Sequence, residues 1–315
     1  MALPTGLAGQ VGFVSEVTPG TPITVTRFLP FLGESLDGAP DRIDTDAIYA
    51  GRTIQSSGQW QSGNINTSGS VQLEVFTTGI GLLLKHTLGA VATTGAGPYV
   101  HTFTPASQLG QSMTVQVGVP GVTGTVATKT MTGAKVTKAT MKHAVGAIST
   151  FDVDLLGMDI SYATALATAS FPAGSGVPFV GKNITATIAG TAVCAREITL
   201  NIENPLSERR CLGSTGQLEP LQNAYREVTG DMQLEFTDMT QYNRVVNATE
   251  AAVVITCTAG AFTLVTTMNC RFDGGAPMVS GTDIVMQPLS FKAIATAADS
   301  TAITMVYTTT DATPT

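Results

Sequence analysis

The stretch Ser68-Gly-Ser-Val-Gln-Leu-Glu-Val-Phe76 alternates polar and apolar residues, and a close variant, Thr229-Gly-Asp-Met-Gln-Leu-Glu-Phe236, follows 161 positions later. Alternation with period two places successive side chains on opposite faces of an extended strand. Val71, Leu73 and Val75 are therefore expected to face a core, with Gln72 and Glu74 opposite. In the second stretch Met232, Leu234 and Phe236 take the inward set, with Gln233 and Glu235 opposite. The same step carries Thr77 to Asp238, and each of these residues opens a segment with helical periodicity. Residues 78–88 place Ile80, Leu83, Leu84 and Leu88 on one helical face, and Gly89 is a natural stop. Residues 238–250 begin with Asp238 and carry Gln241 three positions on, the pattern of a capping box. Strand followed by short helix thus occurs twice, the mark of an internal duplication. Downstream, Gly146 and Gly281 each precede a late strand at the shorter step of 135, so the second copy lacks a stretch present in the first.

Outward from these two stretches the alternation continues. Examples are Ile23-Thr-Val-Thr-Arg27, Met113-Thr-Val-Gln-Val117, Ser149-Thr-Phe-Asp-Val-Asp-Leu155, Ile184-Thr-Ala-Thr-Ile188 and Ala302-Ile-Thr-Met-Val-Tyr307. Thr and Val suit a pleated, half-buried surface, and Gly/Pro clusters such as Gly118-Val-Pro-Gly121 separate the runs. The fold class read from this is all-β with short flanking helices, in two tandem domains. The first is expected over 1–165 and the second over 181–315. Between them lies a small-residue linker, 166–180, within a boundary region of 163–180 that contains Pro172 and Pro178. Residues 37–66 read as a long irregular segment rich in Asp, Arg, Gly and Ser, longer than an idle loop, with the sole Trp60 near its end.

Bulk composition narrows the function. Of 315 residues 43% are hydrophobic and only 12% are charged, against about 25% charged in an average soluble domain. Two readings fit this deficit: a large β-sandwich with a Ser/Thr/Gly surface, or a surface much of which is covered by other chains. A net charge of −7 argues against a surface that grips phosphates, though not against nucleic acid passing close by. Cys194, Cys211, Cys257 and Cys270 show no metal-ligand spacing and read as reduced thiols. The N-terminal residues lack the pattern of a signal peptide, and no run reaches the ~18 apolar residues of a membrane span.

Catalytic patterns are weak. Gly176-Val-Pro-Phe-Val-Gly181-Lys182 has the spacing of a phosphate-binding loop, but position eight is Asn183 and a strand-like run follows where a helix is required. Asp152 and Asp154 lie on one strand face, where solvated carboxylates are common. His86, His101 and His143 read as surface or hydrogen-bonded histidines. No nucleophile, base and orienter assemble. Neither a catalytic residue, a cofactor nor a metal is expected.

Several stretches together resemble the tail tube (major tail) proteins of siphophages, in the branch with two copies of the tube domain. They are Thr26-Arg-Phe-Leu-Pro30, Leu82-Leu-Leu-Lys-His86 with Gly89, His101-Thr-Phe-Thr-Pro105 and Thr114-Val-Gln-Val-Gly118. Arg271-Phe-Asp-Gly-Gly-Ala-Pro277, Leu289-Ser-Phe-Lys-Ala293 and Ile303-Thr-Met-Val-Tyr-Thr-Thr309 extend the likeness to nearly the whole chain. The resemblance implies a β-sandwich per copy and six-membered rings whose inner sheets form one barrel around a lumen. With two copies per chain, three chains would complete a pseudo-hexameric ring; six-chain rings are the alternative. Closing a barrel removes exposed strand edges. The implied partners are further copies of the chain in stacked rings, the tape-measure protein and the tail completion proteins. DNA would transit without specific binding, no membrane would be involved, and the protein would reside in the virion tail after assembly in the host cytoplasm.

On that resemblance Gln72, Glu74, Gln233, Glu235, Asp152 and Asp154 are candidates for the lumen wall, where like-charge repulsion would keep DNA from sticking. The competing reading puts the glutamates in inter-subunit salt bridges. Arg42, Asp44, Arg52 and Trp60 are candidates for contact with the neighbouring ring, Trp and Arg being typical anchors; alternatively Trp60 caps its own sandwich. Other readings of the composition are a decoration or adhesin-like β-sandwich and, with less support from a single Trp, a carbohydrate-active enzyme on a β-scaffold.

Overall fold

The computed structural model describes residues 5–122, 125–171, 176–279 and 281–314. The first half of the chain forms β1 (Gln10–Ser15), β2 (Arg27–Leu29), β3 (Gly33–Glu34), β4 (Asp37–Asp44) and β5 (Trp60–Glu74). These are followed by α1 (Gly81–Leu88), β6 (Gly89–Thr94), β7 (Tyr99–Pro105), β8 (Met113–Pro120), β9 (Val126–Ala144), β10 (Thr150–Leu156) and β11 (Asp159–Ser161). The second half forms β12 (Ile184–Ile188), β13 (Thr191–Val193), β14 (Ala195–Glu203), β15 (Leu206–Arg209), β16 (Leu218–Gln222) and β17 (Glu227–Glu235). It ends with α2 (Thr240–Val246), β18 (Ala251–Ala259), β19 (Phe262–Asp273), β20 (Met286–Ala293) and β21 (Ile303–Thr309). The chain is all-β, with antiparallel pairing throughout these ladders and two short helices.

One sheet runs through both halves in the order β5–β10–β9–β14–β17–β20. The quoted repeat forms its β5 and β17 members, and alternation does what the sequence pattern requires. Val71, Leu73, Val75, Met232 and Leu234 are at most 2% exposed, whereas Phe236, one residue beyond β17, is only half-buried. The glycine shared by the two stretches allows a close approach of the neighbouring strand. A Cβ on Gly69 would lie 2.5 Å from the Leu36 backbone, and one on Gly230 would lie 2.5 Å from the Thr199 carbonyl oxygen.

Outer sheets pack against the apolar face. In the first, β2–β1–β8–β9–β11 pair in turn. In the second the order is β13–β12–β18–β19–β21–β7–β6, so the β6–β7 hairpin of the first half extends the sheet of the second. The long strand β9 serves two sheets. Its early residues pair with β8 and its late ones with β10 and β14, the change falling near Gly133 (φ 64°). There the buried carboxylate of Glu16 accepts hydrogen bonds from the Gly133 and Gly20 N–H groups and the Ser112 and Thr114 hydroxyls, at 2.6–2.9 Å.

Residues 37–66, read from sequence as an irregular segment, are largely strand. β4 and the first part of β5 form a hairpin arm around a loop at 45–59. An Asp/Gly/Pro-rich, solvent-exposed ribbon shows no apolar alternation, which is why the pattern misses it. The helix expected over 78–88 occupies Gly81–Leu88 and stops at Gly89 (φ 104°). The one expected over 238–250 is shorter, Thr240–Val246. Asp238 accepts the Thr240 N–H, two residues on, at 2.7 Å, and the Gln241 Oε1 has no partner among the described residues, so the expected capping box does not form. Of the linker, 172–175 lie outside the described residues; beyond them Phe179 is fully buried and Pro178 bridges to Phe76.

Candidate functional site

The through-going sheet has one apolar and one polar face, because every strand in it alternates. On the polar face the strand register sets residues in rows. One row runs Gln72, Asp152, Thr140, Asn201, Thr229 and Lys292. The next runs Glu74, Thr150, Lys142, Thr199, Asp231 and Ser290. Gln72, Glu74, Asp152, Gln233 and Glu235 thus share one face, and Asp154 stands beside Ser70 and Lys138 on the same face.

Cations on this face are matched to particular carboxylates. Lys138 pairs with Glu203 at 2.8 Å, Lys142 with Glu197 at 2.7 Å, Lys292 with Glu227 at 2.8 Å and Arg271 with Asp273 at 3.4 Å. Glu235 is 2.9 Å from Arg196, within its own chain. Glu74, Asp152, Asp154 and Asp231 are left without an ion-pair partner among the described residues. The surplus is therefore negative. Burial, and then the neighbouring Asp154, raise the Asp152 carboxyl above its ordinary pKa.

The halves meet at the β9·β14 ladder, which runs from Ala144 opposite Glu197 to Lys138 opposite Glu203. Side chains reinforce it. Thr140 donates to Asn201 Oδ1 at 2.9 Å, beside the two lysine–glutamate pairs. Behind the ladder, residues of the second half hold the end of α1. Asn204 Nδ2 donates to the Thr87 carbonyl, and Arg226 donates to the Leu88 and Ala106 carbonyls at 2.8 and 3.1 Å and to Asn204 Oδ1. The Thr87 and Leu88 carbonyls are among those that a helix C-terminus leaves without an intrahelical partner. Burial lowers the Arg226 pKa to about 10. Lys135, 2% exposed, is held by Glu219 at 2.7 Å and by the carbonyls of Gln108 and Pro220. No sequence signal marked Arg226 or Lys135 as clasps, since each finds its partners far away in the chain.

Arg42, Asp44 and Trp60 lie on the hairpin arm and Arg52 in its loop. Asp44 pairs with Trp60 across the ladder. The Arg42 guanidinium stands 5.7 Å from the Trp60 ring centroid, and Arg52 stands 5.8 Å from that of Tyr49. Trp60 is 48% exposed, and Ile48 and Ile54 are more exposed still. The arm thus presents apolar and aromatic side chains to solvent.

The phosphate-loop spacing at 176–182 leads into a short turn and then β12, not a helix. His86, His101 and His143 are all buried and hydrogen-bonded, to Ser15, to Thr93 and the Asp311 carbonyl, and to Ser149. Burial lowers the His86 pKa to about 3 and that of His143 to about 4. Among the described residues no group of His, Cys, Asp and Glu is placed to hold a metal, and no helix is long and apolar enough to cross a membrane. A cleft of about 610 Å³ between the halves is lined by Tyr225, Arg226, Asp299 and Ile303, with Arg226 committed to the carbonyls named above.

The chain is thus all-β, with large antiparallel sheets, a polar sheet face and an exposed arm. Its sequence matches the model of the phage tail tube protein family over residues 6–293, and the chain belongs to that family. It is accordingly a structural protein of the virion tail, one that self-assembles into the tail tube and meets other tail proteins. No curated protein matches it.

Proposed function

We propose that the chain carries two copies of the tube domain, that three chains close into a pseudo-hexameric ring, and that stacked rings form the conduit for DNA ejection in a long, siphophage-type tail. The observation that carries this is the sheet continuous across both halves. β5, β10 and β9 pair in the order in which β17, β20 and β19 pair. One chain thus holds two equivalent sheet segments already joined side by side, and a ring needs only to repeat that joint.

The polar face of the sheet lines the lumen in this reading. Its unpaired carboxylates, Glu74, Asp152, Asp154 and Asp231, repel the DNA backbone, while the apolar face stays packed under the outer sheets. The arm at 37–66, with Arg42, Asp44, Arg52 and Trp60, reaches the adjacent ring. The tape-measure and completion proteins would meet the lumen and the terminal rings.

Negative-stain electron microscopy across a range of protein concentrations tests the reading. Rings or tubes of uniform bore with threefold symmetry are expected. Rings of six chains would overturn the stoichiometry. Protein that stays monomeric even when seeded with tail fragments would overturn the assembly itself.

A further inference from the structure

The joint between the halves has a counterpart that is open. Residues 33–39 lie on β5 as residues 197–203 lie on β17. Gly33 faces Gln72 as Glu197 faces Gln233, Asp37 faces Ser68 as Asn201 faces Thr229, and Ala39 faces Asn66 as Glu203 faces Glu227. The second set has β9 on its far side. The first set pairs, among the described residues, with β5 alone.

The same holds for the other partner of the joint. Asp273 faces Ser290 as Lys138 faces Asp154. From Lys138 the strand β9 continues to Ala144 along β14, whereas the corresponding residues 274–279 leave the ladder at the end of β19. Met278 and Val279 there are 79% and 80% exposed, and Leu32 beside the other edge is 60% exposed. The helices follow suit. α1 is almost wholly buried and is held across the joint by Asn204 and Arg226, while α2 has no buried residue.

At Leu36, in the middle of the open edge, two side chains stand where a strand would. Ser35 N–H points inward, to the Ser70 carbonyl at 2.9 Å, so the polar groups of Leu36 point out of the sheet. The Leu36 N–H donates to Glu34 Oε2 at 2.9 Å, and its carbonyl accepts from Lys129 Nζ at 3.0 Å. Lys129 and Glu34 are themselves paired at 3.1 Å. An unpaired edge is a template for another chain, and folded proteins commonly blunt it with charge.

We propose that residues 273–279 of one protomer add as an antiparallel strand to residues 33–39 of a second copy, with Asp273 opposite Ala39 and Val279 opposite Gly33, and that Glu34 and Lys129 cap this edge until the second copy takes their place at Leu36. The proposal rests on the assembly reading above and specifies its contact. Gly274, Gly275 and Ala276 give the incoming segment little side-chain bulk, and it pairs as a strand only when an edge is available.

Disulfide trapping tests the register. Ser35 and Pro277 fall opposite each other as a pair not hydrogen-bonded across the new ladder, with Cα atoms about 4.5 Å apart, within reach of a disulfide. Ser35→Cys with Pro277→Cys, in a chain with Cys194 and Cys211 replaced by Ser, should form covalent closed rings on assembly, visible on a non-reducing gel. Ser35→Cys with Gly275→Cys or with Val279→Cys should not. Tubes that form without the link, or that link in a shifted register, overturn the proposal while leaving the assembly reading intact; absence of rings and tubes in the wild-type protein overturns both. For the cap, Glu34→Ala and Lys129→Met should each shorten the lag of polymerisation several-fold, read by light scattering. An unchanged or longer lag in folded variants overturns the capping role.

Discussion

Lys142 of β9 and Glu197 of β14 stand 2.7 Å apart across the ladder that joins the two halves of the through-going sheet. Both side chains are about half exposed, at 50% and 42%. The pair is worth about 0–1 kcal/mol, since solvent screens it. On the other side of the same ladder Leu200 and Met141 face each other at 1% and 2% exposure.

Lys142→Ala should therefore leave the urea midpoint almost unchanged, whereas Leu200→Ala should cost about 2–5 kcal/mol through lost burial and a cavity. Equilibrium unfolding followed by circular dichroism separates the two. Equal losses would mean that the joint is electrostatic.

Charge reversal on the polar face should affect DNA and not folding. Glu74 and Asp152 have no cation to lose, whereas Glu235 is tied to Arg196. Glu74→Lys with Asp152→Lys should leave stability within about 1 kcal/mol and give tubes that retain duplex DNA at low salt and release it at high salt. Co-sedimentation of DNA with tubes measures this. Tubes that bind no more DNA than wild type, with normal ejection, would remove these residues from the lumen wall.

The arm should act between rings. Replacing residues 45–59 by an Asn-Gly turn keeps β4 and β5 paired, because that dipeptide suits a tight hairpin. Folded single rings that no longer stack are the expected product in the microscope. Normal tubes would return Trp60 and Arg42 to a role within their own domain.

Acid should destabilise the protomer through its buried histidines. His86 is held neutral in the folded chain, with its pKa lowered to about 3 by burial and then by the nearby Lys85 and Lys135 charges. Between that value and the ordinary 6.5 the unfolded chain binds the proton and the folded chain does not, so stability rises with pH across this window. Each pH unit lost below 6.5 should cost about 1.4 kcal/mol per such histidine. Urea midpoints should be flat above pH 7 and fall steadily from pH 6 to 4. His86→Gln should flatten that slope, and an unchanged slope would place the acid sensitivity elsewhere.

Local pattern determined a good deal here. Alternation marks β5 and β17 and assigns Gln72, Glu74, Gln233 and Glu235 to one side, because period two follows from strand geometry alone. The run from Ile80 to Leu88 and the stop at Gly89 mark α1 for the same reason, a periodicity confined to neighbours in the chain. Tertiary structure decided which strands meet. Every strand offers the same backbone groups, so nothing local indicates that β7 pairs with β21 or β9 with β14. It also decided that Glu235 meets Arg196, that Lys135 is buried on Glu219, and that the Asp/Gly-rich stretch before β5 is a paired arm. Partners of a charge or a strand edge are chosen by long-range packing, and residues 33–39 and 273–279 stay open because that choice falls, on our proposal, to a second copy of the chain.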